Sequence, residues 1–256
     1  MPLKARHALL PLALALPLAG CGSPQVELEQ SDRLEALLPS SSDYPDAFDV
    51  ETVDITDVED DGSTGGDWDS ISPAECEDAM DGGPGDVPDE AAEGAAQTLT
   101  PSSDDTERVY VYMLTSGDYE EAPQEEADFR TMLDACSTMT ATTDGTEFEG
   151  GMSSAEPSTL PAGGEGFTME VAGGGVEMAT TVAWAQVEDV HLVLMGITMG
   201  DGAEVDPYEM AHECDFDDRD CRDRVTQRAE SDLQDEIDAE FDEVLEAGVT
   251  ALEAGL

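Results

Sequence analysis

Val182-Ala183-Trp184-Ala185-Gln186-Val187-Glu188-Asp189-Val190-His191-Leu192-Val193-Leu194-Met195 carries two apolar runs parted by one acidic pair. Runs of this length, rich in valine and bounded by polar residues, read as strands. With only Glu188-Asp189 between them, the strands Val176 to Val187 and Val190 to Met199 must double back as an antiparallel hairpin, although the turn lacks the usual Asn-Gly signal. A further strand, Phe167 to Val171, precedes the hairpin. Gly173-Gly174-Gly175 between them reads as a turn, because a phosphate-binding glycine loop leads from a strand into a helix.

Upstream, Arg108-Val109-Tyr110-Val111-Tyr112-Met113-Leu114-Thr115 is apolar on both faces, the pattern of an interior strand covered on each side. Phe129, Met132, Leu133, Cys136 and Met139 follow helical spacing and put Cys136 on a buried stripe. At the far end, Val225, Ala229, Leu233, Ile237, Phe241, Val244, Leu245, Gly248 and Leu252 mark a long helix with one apolar face. Its last half is expected to pack on the sheet. Its first half carries Glu230, Asp232, Asp235, Glu236 and Asp238 and is expected to project into solvent. Nearer the start, Ser31 caps a short helix stopped by Pro39. The change of phase between Val50 and Val53 predicts a bulged strand over Phe48 to Val58. Ser72-Pro73-Ala74-Glu75-Cys76 reads as a helical turn. Residues 57–69 and 81–105, rich in Asp, Glu, Gly, Pro and Ser, are expected to be acidic loops, and 206–223 an acidic insertion.

Lys4 and Arg6, the apolar stretch from Ala8 to Leu18 and the closing Leu18-Ala19-Gly20-Cys21 read as a lipoprotein signal peptide over 1–20. The stretch is too short for a membrane span of about 20 residues and is broken by Pro11 and Pro17. Cys21 is therefore the expected lipidation site, palmitate included, with 21–30 as tether and 31–256 as a single domain. The expected place is the cell membrane, lipid-anchored and facing outward.

Sixty-two acidic residues stand against nine basic ones, and no lysine follows Lys4. A formal net charge of −53 excludes nucleic acid as a partner, since that binding neutralises phosphates with Lys and Arg. It equally repels anionic headgroups, so the membrane is met through the anchor alone. The charge is explained by solubility or by cation binding. Apart from Cys21, Cys76, Cys136, Cys214 and Cys221 remain, an even number that predicts two disulfides in an exported protein. Of three pairings, Cys76 with Cys136 and Cys214 with Cys221 is favoured, the second pair being close in sequence. In the chain-entropy picture they contribute about 4 and 2.5 kcal/mol. A four-thiolate metal site would show Cys-x-x-Cys pairs, which are absent.

The order of Leu37-Leu38-Pro39, Ser72-Pro73-Ala74-Glu75-Cys76, the strand Val109 to Leu114, the helix ending Leu133-Asp134-Ala135-Cys136, the hairpin Val182 to Met195 and a terminal helix resembles the extracellular sensor domain of actinobacterial membrane serine/threonine kinases, in its stand-alone lipoprotein form. The resemblance implies an α+β fold, a twisted antiparallel sheet of five or six strands with helices on one side, and a cleft for an unidentified ligand or envelope partner. In that family the second cysteine pair links late strands, whereas Cys214 and Cys221 lie in the insertion.

The chemistry-bearing residues are sparse. Glu209 to Cys221, with His212, Glu213, Asp215, Asp217 and Asp218, is the densest collection of potential metal ligands. An EF-hand loop starting at Asp215 needs glycine where Asp220 stands and glutamate where Thr226 stands. Asp57, Glu59, Asp61 and Gly62 match the first half of such a loop, but Trp68 replaces its glutamate. Nucleophilic catalysis needs a base beside the nucleophile, and only His191 and His212 follow Cys21. His191 reads as structural, and Ser153-Ser154 after Gly150-Gly151 reads as a loop. Met169, Met178, Met195 and Met199 read as core filling or the lining of an apolar cleft. No cofactor is expected. The leading expectation is a non-enzymatic envelope protein that binds a ligand or partner; an envelope hydrolase and a divalent-cation-binding surface protein are the alternatives.

Overall fold

The computed structural model describes residues 29–44, 48–55, 68–80, 91–101, 107–117, 125–143, 145–200, 205, 207–214 and 218–256. The signal segment, Cys21 and nearly all of the tether lie outside these, as do most of 57–69 and much of 81–105. The chain runs β1 (Glu29–Gln30), α1 (Asp32–Glu35), β2 (Phe48–Val53), β3 (Ser70–Ser72), α2 (Ala74–Met80), β4 (Ala91–Pro101), β5 (Glu107–Gly117), α3 (Glu125–Cys136), β6 (Met139–Thr143), β7 (Thr146–Ser154), β8 (Glu165–Gly173), β9 (Val176–Val187), β10 (Val190–Gly200), α4 (Pro207–Glu213) and α5 (Arg219–Gly255).

All ten strands join one sheet in the order β1-β4-β5-β10-β9-β8-β7-β6-β3, with β2 sharing the outer edge of β4. Among the described strands only β1 and β4 run parallel. The α+β class stands, but the sheet is about twice as wide as the five or six strands expected. Helices cover both faces, not one. On one face Phe129, Met132 and Cys136 of α3 and Cys76 of α2 pack on Met113, Phe167, Met169, Val182, Trp184 and Val193. On the other, Leu34 of α1 and Phe241, Leu245 and Leu252 of α5 pack on Tyr110, Tyr112, Leu114, Ala183, Leu192 and Leu194. Because β5, β9 and β10 are apolar at both odd and even positions, neither face tolerates water, and one helical layer cannot cover the sheet.

The hairpin turns at Glu188-Asp189, where Glu188 takes the left-handed conformation at φ 57° in place of glycine. The β8–β9 turn places Gly174 and Gly175 at φ 63° and 87°, a conformation that suits glycine. No bulge accounts for the phase change in β2, which pairs with β4 in unbroken register from Phe48↔Pro101 to Val53↔Ala96. Instead Phe48 and Val50 face the α5 side, while Val53 and Ile55, just past the strand, face the α3 side.

Three further expectations are corrected. Within 81–105 the described residues, Ala91–Pro101, form β4, an inner strand where a loop was expected. Ser153-Ser154 ends β7, and Gly150 and Gly151 are strand residues hemmed in by backbone: a Cβ on Gly151 would stand 2.3 Å from the Ser137 carbonyl oxygen. Met139 belongs to β6, because α3 stops at Cys136. Within 206–223 the described residues are largely helical, with Asp218 capping α5 through the Cys221 N–H at 3.0 Å. Disulfides join Cys76 to Cys136 and Cys214 to Cys221.

Candidate recognition groove

The second half of α5 presents Phe241, Val244, Leu245, Gly248, Val249 and Leu252 to the sheet. Beside that buried stripe runs a second one of small residues, Ala247, Ala251 and Ala254, at helical spacing. Small side chains here leave room between the helix and the turn after α1, and an open groove of about 620 Å³ results. Asp43, Glu243 and Glu246 stand on its walls, and Tyr44 and Ala251 also line it.

The turn is held firmly. The Ser40 N–H and hydroxyl donate to the Asp43 carboxylate at 2.8 and 2.6 Å, and these bonds keep its carboxyl below the usual range. Tyr44 is 4% exposed and accepts a hydrogen bond from the Gln97 amide of β4. Burial raises its phenol well above the ordinary value, so it stays neutral. Tyr112 is fully buried against Gly248, and its phenol is raised first by burial and then by Tyr44 nearby. The groove therefore sets three carboxylates beside the Thr250 hydroxyl and the edge of a neutral tyrosine, an arrangement that can receive a cationic or amphipathic group.

The residues singled out from sequence are not brought together. His191 lies on β10, 6% exposed, and burial holds its imidazole down to about 4, that is, neutral. His212 is exposed on α4, its ring 4.6 Å from that of Tyr208 between centroids. Neither lines the groove. Cys214 and Cys221 are bonded to each other and offer no thiolate to a metal; among the described residues no group of three or more His, Cys, Asp or Glu is arranged to hold one. Trp68 packs edge-on against Phe148, and the EF-hand-like residues before it lie outside the described ones. Met169 is core, Met178 and Met195 flank it, and Met199 is 40% exposed at the end of β10. The groove itself was missed. Its one signal in the sequence is the alanine stripe beside the apolar stripe of α5.

Among the described residues no helix is long and apolar enough to cross a membrane. No protein-family model matches the chain, and no curated protein matches it. Among solved structures it has a weak similarity to the extracellular domain of PknH from Mycobacterium tuberculosis, with a TM-score of 0.39 and 13% identity, over 82% of this chain and 99% of that one.

Proposed function

We propose that this is a lipid-anchored cell-envelope protein, non-enzymatic, whose outward-facing domain binds a ligand or partner in the groove between the Asp43-Tyr44 turn and α5. The groove carries the reading: it is concave, its turn is fixed by hydrogen bonds from Ser40, and it sets carboxylates beside small apolar side chains and the edge of Tyr44. The anchor rests on Leu18-Ala19-Gly20-Cys21. A sensor-like role is the form of binding that the element order favours.

The binding half is tested by thermal unfolding in the presence of divalent cations, envelope glycans and lipids at low and high salt, with Ala251→Trp as a filled groove. A saturable rise in Tm from one class, lost in Ala251→Trp, is expected. Stabilisation by salt alone, equal for ions of one valence and unchanged by the tryptophan, would mean charge screening and overturn the reading. For the anchor, Cys21→Ser should move the protein from the membrane fraction into the medium; an unchanged distribution refutes lipidation.

A further inference from the structure

The two disulfides occupy contrasting surroundings. Cys76 and Cys136 are fully buried inside the α3-face core, which their bond staples across α2 and α3. Cys214 and Cys221 belong to neither core, and Cys221 is half-buried at the surface. Their bond ties α4 to the start of α5 over a sequence separation of 7. Among the described residues α4 and α5 also meet through the exposed ion pair between Arg228 and Glu213 at 3.2 Å and through the Cys221 Sγ, 3.6 Å from the Glu213 carbonyl oxygen. Neither cysteine of this bond belongs to the packing of the sheet.

The position of Cys221 also suits a thiolate. It is the third residue of α5, where a helix N-terminus favours negative charge. Arg224 and Arg228 follow at i+3 and i+7, on the Cys221 face of the helix. Of the seven arginines after Cys21, Arg219, Arg222, Arg224 and Arg228 fall within this one stretch of an otherwise acidic chain. Against these stand the Glu213 carbonyl oxygen, 3.6 Å from the Cys221 Sγ, and the Asp218 carboxylate on the same helix face. Glu213 is paired with Arg228, Asp218 accepts the Cys221 N–H, Asp220 is about 100° around the helix and Asp223 about 200°. His212 of α4 is exposed.

We propose that Cys214–Cys221 is a thiol-exchange site, opened by a dithiol reductant, while Cys76–Cys136 is structural. A thiolate of the dithiol attacks the more accessible Cys221 sulfur, the disulfide breaks, and Cys214 leaves as a thiolate that takes a proton from water. The second thiol of the reductant loses its proton and attacks its own sulfur in the mixed disulfide. Cys221 is expelled as a thiolate, favoured by the first turn of α5 and by Arg224 on its face of the helix. The protein disulfide gains two electrons and the dithiol becomes a disulfide.

The intact protein is titrated with dithiothreitol, free thiols are trapped with an alkylating agent, and the modified peptides are read by mass spectrometry. Cys214–Cys221 should open at a dithiothreitol concentration at least tenfold below that for Cys76–Cys136, and Arg224→Gln should narrow that gap. In Cys214→Ser, which touches neither core, the pH dependence of alkylation should place the Cys221 midpoint at least one unit below the ordinary thiol value of about 8.5. Equal resistance of the two disulfides, or a Cys221 midpoint at or above the ordinary value, overturns the proposal.

Discussion

Gly248 of α5 lies against the ring of Tyr112 on β5, so close that a Cβ on Gly248 would stand 2.5 Å from the Tyr112 Cε2 and 3.1 Å from its hydroxyl oxygen. Tyr112 is fully buried and cannot swing aside, so the glycine sets how near α5 comes to the sheet. Gly248→Ala gains about 1 kcal/mol of helix propensity but forces overpacking of about 1–3 kcal/mol. A net loss in urea denaturation is expected. In a Tyr112→Leu background, which lacks the clashing ring atoms, the same substitution should cost nothing; a cost equal in both backgrounds would locate the effect elsewhere.

Arg108 is the buried cation of the α5 face, its side chain 6% exposed, and it meets Glu240 at 3.1 Å and Glu236 at 3.3 Å. The Tyr110 hydroxyl donates to the same Glu240 carboxylate at 2.6 Å. Removing one partner of a buried pair strands the other. Glu240→Ala should therefore cost about 3 kcal/mol, and Glu236→Ala, whose carboxylate is 65% exposed, well under 1 kcal/mol. Equal losses in chemical denaturation would show that burial does not govern the pair.

His191 brings a pH dependence of known sign. Its folded value of about 4 lies below the ordinary value of about 6.5. Between these the unfolded chain binds a proton that the folded chain refuses, so the contribution is complete above pH 6.5 and is lost as pH falls toward 4. The carboxylates act on wild type and variant alike. Unfolding free energy measured from pH 7 to 4.5 should therefore fall more steeply in wild type than in His191→Gln, by up to about 1.4 kcal/mol per pH unit. Parallel curves would contradict a buried neutral imidazole.

At the hairpin turn, Glu188 holds a left-handed backbone that costs a side-chain-bearing residue about 1 kcal/mol. Its carbonyl accepts from the Gln186 amide at 3.1 Å, a bond that a glycine keeps. Glu188→Gly should raise stability by about 0.5–1 kcal/mol, read as a higher urea midpoint at unchanged slope. A lower midpoint would mean that the flexibility added to the unfolded chain outweighs the relief.

What could be read from sequence was what periodicity and large side chains announce. The β9–β10 hairpin, β5, α3 and the docked second half of α5 carry Val, Leu, Phe, Trp and Met at the spacing of their elements. β4 escaped because Ala91-Ala92-Glu93-Gly94-Ala95-Ala96-Gln97 has neither branched nor aromatic residues. The structure gives the reason: a Cβ on Gly94 would stand 2.8 Å from Ile55 Cγ1, so the strand is crowded and built small. β1 and β3 are too short for any pattern to develop. The second helical layer was legible in principle from the two apolar faces of β5. The groove depends on Tyr44 and Ala251, brought together by the topology across more than half the chain, and no local pattern reports such a meeting.

The unbroken length of α5 makes it a lever. Thirty-seven residues at 1.5 Å each span about 55 Å, with the groove against the docked end and Cys221 in the first turn of the other. A tilt of about 10° where the helix rests on the sheet would carry the far end, with α4 bound to it, sideways by about 5 Å over roughly 30 Å. A shift too small to notice beside Tyr44 would, on this geometry alone, be several times larger at Cys221.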